Sequence, residues 1–256
     1  SSTFFKKSLI KNKKFNKKIF YGEDTRFVNN FLLLNPIMGL IRESIYYYRV
    51  RADSSSVVQN KFKNIDFYFY TITNVNKYLI NNSISLYGYI APFIQFYIGY
   101  DVLFRIKTKI NDEININEYN LYCNKIKELL NQIEDKYILE QLIVNNKFKI
   151  FALSIKYNRD IRYEMKIENN TLFYLNYSMI DFNNESNVIV WRILDINDNI
   201  LHLEGKDNFW MPKENYYYYC KIGEKLIFPK YFYYSNYDFK TMYGTIEKGR
   251  IIQFDI

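Results

Sequence analysis

The spacing of apolar residues changes once along this chain, near residue 165, and that change limits the folds open to it. Before it the period is helical. Phe62, Ile65, Phe69, Ile72 and Val75 or Asn76 recur at steps of three and four, as do Ile126, Leu129, Leu130, Ile133 and Ile138. Asn115 to Asn117, ahead of Glu118, supply caps for the second of these helices. From about residue 166 short β-like runs take over. Residues 188–194 predict a strand, 197–199 a turn, and 216–220, 225–228, 231–234 and 250–254 further strands. Strands this short at roughly ten-residue spacing predict an antiparallel sandwich. Residues 1–60, by contrast, mix short helices with tight turns. The expectation is an α+β multidomain chain with parts 1–60, 61–165 and 166–256.

A hydrophobic content of 48% over 256 residues excludes disorder as a description of the whole chain. The 27 tyrosines and 21 phenylalanines look in part like mutational bias, so no single tyrosine carries weight. Residues 86–104 approach the length of a membrane span. Gly88, Pro92, Gln95, Gly99 and Asp101 interrupt them, however, and a buried helix is expected instead. The chain begins at Ser1 with no secretory apolar run behind it, which predicts a processed or truncated start. Cys123 and Cys220 lie far apart and are expected to be free, as in a reducing, cytoplasmic location.

The net charge of +8 sits entirely in residues 1–51, which hold eleven Lys/Arg against three Asp/Glu. Such a field attracts phosphate on a nucleotide, a nucleic acid or an anionic membrane, though a solvated lysine-rich helix explains it equally. Within this part Glu23 and Asp24 follow Gly22 at the start of a helical run. Asp24 there can accept a proton or cap free helix amides. Further on, Arg49 and Arg51 share one face if residues 46–51 are extended, and Ser54, Ser55 and Ser56 follow. Two guanidinium forks on one face can hold a diphosphate, or stand solvated on an edge strand.

The order of these parts resembles the closing third of the catalytic domain in family-2 glycosyltransferases of the GT-A fold. The match runs over residues 1 to about 60. It takes in Phe4 to Ile10, Phe15, the acidic pair, the strand into the Arg- and Ser-bearing loop, and Ser55, Ser56 and Gln59. The later stretch Ile94 to Tyr97, Tyr100, Asp101 and Arg105 is similar, more loosely, to accessory regions of capsule and wall teichoic acid glycosyltransferases. The resemblance implies an inverting transfer from a nucleotide-sugar to a cell-surface polysaccharide. It makes Asp24 the base, with Glu23 orienting it or touching acceptor. Arg49, Arg51 and Ser54 to Ser56 become donor-diphosphate contacts.

It further implies residues 1–60 as the C-terminal remnant of a GT-A α/β domain, 61–165 as a helical linker and 166–256 as an accessory β-sandwich. The family's Asp-x-Asp metal motif is missing here, so Mg or Mn would take its main ligands outside this sequence, Asp53 being the nearest polar substitute for a metal-binding His in the loop. The chain is thus expected to be inactive alone. Implied partners are donor, polysaccharide acceptor, the inner membrane face as a peripheral contact, and further copies of the chain. A nucleic acid is not among them: the charge is local and no nucleic-acid motif appears.

Two readings of the β part stay open. Tyr216 to Tyr219 and Tyr231 to Tyr234 can offer rings to sugars or a partner, or pack half of each run inside. A non-catalytic carbohydrate-binding or oligomerisation module is the alternative to the enzyme. His202, the one histidine, reads as an ordinary strand residue.

Overall fold

The computed structural model of the chain describes residues 5, 10, 14–19, 21–39, 45, 47, 65–108, 110, 114–183, 189–197, 200–207, 210–212, 217–234, 239–247 and 250–256. The fold is α+β. Among the described residues helices come first: α1 Glu23–Leu34, α2 Ile65–Tyr68, a π turn Ile72–Lys77, α3 Tyr78–Tyr87, α4 Pro92–Ile106, α5 Ile116–Asn131, α6 Lys136–Leu139 and α7 Asn146–Tyr157. A 3-10 turn Ile161–Glu164 ends this part, and every described strand follows it. The expected change of period thus coincides with a change of structure.

The chain forms two compact units, Ser1–Val102 with Ile110–Tyr137, and Leu103–Lys109 with Ile138–Ile256. In the first unit the apolar periodicity builds the core. Ile72, Val75, Leu79, Ile94, Ile98, Val102, Ile126, Leu129 and Leu130 are fully buried. Tyr68 and Tyr122 meet edge to face at 5.1 Å. Helix α5 starts where the sequence placed a cap. Asn115 accepts from the amides of Asn117 and Glu118, and its own amide donates to Glu118 Oε2. That reciprocal pair satisfies amides the first helical turn leaves open.

The 86–104 stretch holds the end of one helix and most of the next rather than a single helix. Gly88 ends α3 at φ 77, a left-handed value that suits glycine. Ser83 then clamps the link, its hydroxyl donating to Tyr89 O and accepting from the Ala91 amide. Pro92 opens α4, where its missing N–H costs nothing. No helix among the described residues is long and apolar enough to cross a membrane.

In the second unit the strands are antiparallel and short, as their spacing predicted. They form a meander β1 Lys166–Glu168, β2 Thr171–Tyr174 and β3 Tyr177–Asp181, and a four-stranded sheet in the order β4-β5-β11-β8. That sheet contains β4 Ile189–Asn197, β5 Ile200–Asp207, β8 Tyr231–Tyr234 and β11 Arg250–Asp255. Two hairpins complete the set, β6 Cys220–Ile222 with β7 Lys225–Ile227, and β9 Phe239–Thr241 with β10 Gly244–Glu247. Asn169 and Asn170, both at positive φ, turn β1 into β2, as a primed hairpin turn requires.

Strand limits differ from expectation in two places. The β4–β5 ladder runs on to Asn197 opposite Ile200, so Asn197, expected in the turn, belongs to the strand. Of the described residues in the 216–220 run only Cys220 is strand, although Tyr217 to Tyr219 keep its alternation: exposed, buried, exposed. His202 lies in β5, in register with Asp255 of β11. Cys123 and Cys220 are unbridged.

Candidate active site

Gly22 fixes where the acidic pair stands. Its φ of 78 is left-handed, and a Cβ there would sit 3.3 Å from Val75 Cγ2. Both facts call for glycine, since a side chain would strain the backbone and push against the π turn. Beside it the Tyr21 ring meets Phe67 edge to face at 6.0 Å. The chain is therefore pinned immediately before Glu23, and α1 must begin there.

Helix α1 is then held along the π turn and α3 by polar contacts in the same order on each. Arg26 Nη1 donates to Asn74 O at 2.8 Å, and its guanidinium lies 3.5 Å over the Tyr78 ring. One turn on, Asn30 Oδ1 accepts from the Tyr78 hydroxyl and from Asn82 Nδ2. The Tyr87 hydroxyl donates to Leu33 O at the far end. On another face Phe27 stacks on Phe15 at 4.4 Å, and Phe5 packs against Phe27 and Phe31.

The π turn explains why Asn74 O can receive the arginine. The Tyr78 amide donates to Val75 O, which leaves the Asn74 carbonyl to an outside donor. The next residue, Asn76, is fully buried; its Nδ2 donates to Asp101 Oδ2 at 2.7 Å and its Oδ1 accepts from the Tyr97 hydroxyl at 3.2 Å. Nearby, Lys77 pairs with Glu128 at 2.6 Å, which holds the Glu128 carboxyl below its ordinary value.

At the start of this clamped helix Asp24 is exposed and Glu23 half-buried. Asp24 Oδ1 accepts from the Thr25 amide at 2.7 Å and from the Thr25 hydroxyl at 3.4 Å. The carboxylate thus binds a first-turn amide, in part the capping role that sequence left open, while remaining open to solvent. Arg49, Arg51, Asp53, Ser54, Ser55 and Ser56 lie outside the described residues, as does Gln59.

His202 does other work. Its Nδ1 lies 2.7 Å from Asp255 Oδ1, while Lys230 Nζ bonds Asp255 Oδ2 at 2.7 Å. Lys230 first, then His202, hold the Asp255 carboxyl below its usual value. This is a cross-strand tie between β5 and β11. Among the described residues no three His, Cys, Asp or Glu side chains gather as metal ligands.

Sequence reasoning missed Arg26, Asn30 and Asn74, which position the acidic pair. One signal did mark the turn that holds Asn74. The apolar period slipped at Val75 or Asn76, and both are buried because the wide turn there brings two adjacent residues inward.

Comparison with curated proteins places the chain beside two from Bacillus subtilis (strain 168). It is 28% identical over 260 residues to the minor teichoic acid biosynthesis protein GgaB, along all of this chain. It is 26% identical over 144 residues, 54% of the chain, to the minor teichoic acid biosynthesis protein GgaA. The matched regions span only 29% and 32% of those relatives' own lengths. The teichoic acid resemblance read from the sequence is borne out by them. No protein-family model matches the chain, and no solved structure does.

Proposed function

We propose that this chain, alike along its whole length to one teichoic acid biosynthesis protein and over 54% of it to another, is part of an inverting glycosyltransferase of family 2 that extends a cell-surface polysaccharide. The likeness to GgaB over the whole chain is the observation that carries this reading. An exposed carboxylate at the pinned start of α1 supports it.

In the proposed reaction the acceptor hydroxyl gives its proton to Asp24 as its oxygen attacks the anomeric carbon. The bond from that carbon to the diphosphate oxygen breaks as the new bond forms on the opposite face, so configuration inverts. Glu23 contacts acceptor or orients Asp24. Arg49 and Arg51, with Ser54, Ser55 and Ser56, receive the charge on the departing nucleoside diphosphate. Mg or Mn would serve the complete enzyme as a Lewis acid toward the leaving diphosphate, with its main ligands outside this sequence and Asp53 as the candidate within it. In the same proposal residues 1–60 close the GT-A catalytic domain, 61–165 link it, and 166–256 form an accessory β module. The longer protein contacts the inner membrane face peripherally and associates with further copies of itself.

The test uses the longest natural polypeptide that contains this sequence. Asp24→Asn is expected to cut sugar transfer by three orders of magnitude or more, while a nucleoside diphosphate still binds in calorimetry. Transfer at near wild-type rate by that variant removes Asp24 from the mechanism.

A further inference from the structure

The hairpin of β6 and β7 has its two faces assigned in an unusual way. Its register pairs Cys220 with Ile227, Lys221 with Leu226 and Ile222 with Lys225. Carrying the register one step outward sets Tyr219 opposite Phe228. On the inner face Tyr218, with Cys220 and Ile227, packs against Ile252 and Phe254, and this closes the local core. The outer face is where polar residues belong on a half-buried hairpin. Here it carries Tyr217, Tyr219 and Phe228, which are 74%, 49% and 57% exposed.

The three rings form a near-regular triangle. Centroids are 6.2 Å apart for Tyr217–Tyr219, 6.2 Å for Tyr217–Phe228 and 6.4 Å for Tyr219–Phe228. Interplanar angles of 39°, 42° and 55° mean that no ring lies flat on another. Leu226 and Lys221 extend the same face by one rung, both exposed. Lys225 and Glu224 stand at the turn, where Gly223 takes φ 58. Nothing in the core requires these rings outside, and three exposed rings in water mark a binding surface.

We propose that this face binds a phosphate-bearing glycan chain. The C–H faces of sugar or polyol units lie on the rings, gaining dispersion contact that polar side chains would not give. The phenols of Tyr217 and Tyr219 exchange hydrogen bonds with hydroxyls, and Lys221 meets a phosphate on the same face. Three rings and one leucine are too small for a lasting pair of chains, which needs about 800 Å² from each partner. The choice of glycan rests on the functional reading above; the ring platform does not.

Affinity electrophoresis of the 256-residue chain, in native gels containing purified wall teichoic acid or neutral dextran, tests this directly. The chain is expected to be retarded by teichoic acid and not by dextran. Combined Tyr217→Ala, Tyr219→Ala and Phe228→Ala should weaken retardation at least tenfold with the circular dichroism unchanged. Tyr217→Ala alone gives a smaller loss and carries the test should the triple variant misfold. Lys221→Gln should weaken binding at low salt, and Tyr219→Trp should preserve it. A wild-type chain that is not retarded, or a triple variant retarded equally, overturns the proposal. Equal retardation by dextran overturns its phosphate part. Self-association in sedimentation velocity that vanishes in the triple variant gives the face to a second copy instead. Turnover by Asp24→Asn with glycan retention intact would sink the catalytic reading alone.

Discussion

Thr71 shows what a single residue holds in reserve. Its hydroxyl is buried without a hydrogen-bond partner, close beside Gly22 and the π turn. Thr71→Val keeps the shape and removes the orphaned group, so it should stabilise the first unit by about 1 kcal/mol in urea denaturation. In the second unit Asp160 is the counterpart. Burial pushes its carboxyl up, but Arg162 outweighs this through side-chain and amide hydrogen bonds and its charge, and holds it below the ordinary 3.8. Arg162 also donates to Trp210 O, so the pair ties the 3-10 turn to a distant segment. A lowered carboxyl contributes stability above its unfolded value and loses it as pH falls through the folded one. Asp160→Asn should therefore cost about 1 kcal/mol at neutral pH, given its partial exposure, and flatten the acid limb of the stability profile. An unchanged acid limb would place that dependence elsewhere. At this scale the sequence was half legible. Glu23 and Asp24 announced themselves through the glycine before them, whereas Arg26 has no local pattern because its partners are 48 and 52 residues away, at Asn74 and Tyr78.

Elements were easier to read than their joins. Helix α5 follows from its period and its cap, and Asn115→Ala should cost the first unit about 1 kcal/mol, measured as a lower urea midpoint with an unchanged slope. The α3–α4 break was marked by Gly88 and Pro92, yet the apolar run around them hid it. Gly88→Ala would meet no neighbouring atom, so its expected cost of roughly 1 kcal/mol is left-handed backbone strain alone. A loss well above that would show a contact the open surroundings do not contain. The strands, by contrast, were legible as alternation, but alternation says which residues share a face and not which face meets the core. That is why Tyr217 and Tyr219 could not be told from Tyr218 before the packing of Ile252 and Phe254 was seen.

For the whole molecule the division into two units sets the expectation that changes in one leave the other intact. Asn115→Ala and Asp160→Asn lie in different units, and their costs should add within about 0.5 kcal/mol in the double variant. Hydrogen exchange should report each loss within its own unit. A larger coupling would mean a shared unfolding transition. The α+β order was readable from the shift in period near residue 165, because that shift needs no long-range information. The two-unit division was not, since residues 103–109 join the second unit while 110–137 return to the first. The π turn at Ile72–Lys77 also reaches beyond its own six residues. A helix wound this wide stores one surplus amino acid, so losing a single codon there would tighten the winding rather than sever the rod. Such a shortened descendant would keep both flanking helices and forfeit the oxygen that Arg26 now grips, loosening the footing of α1 without touching Asp24.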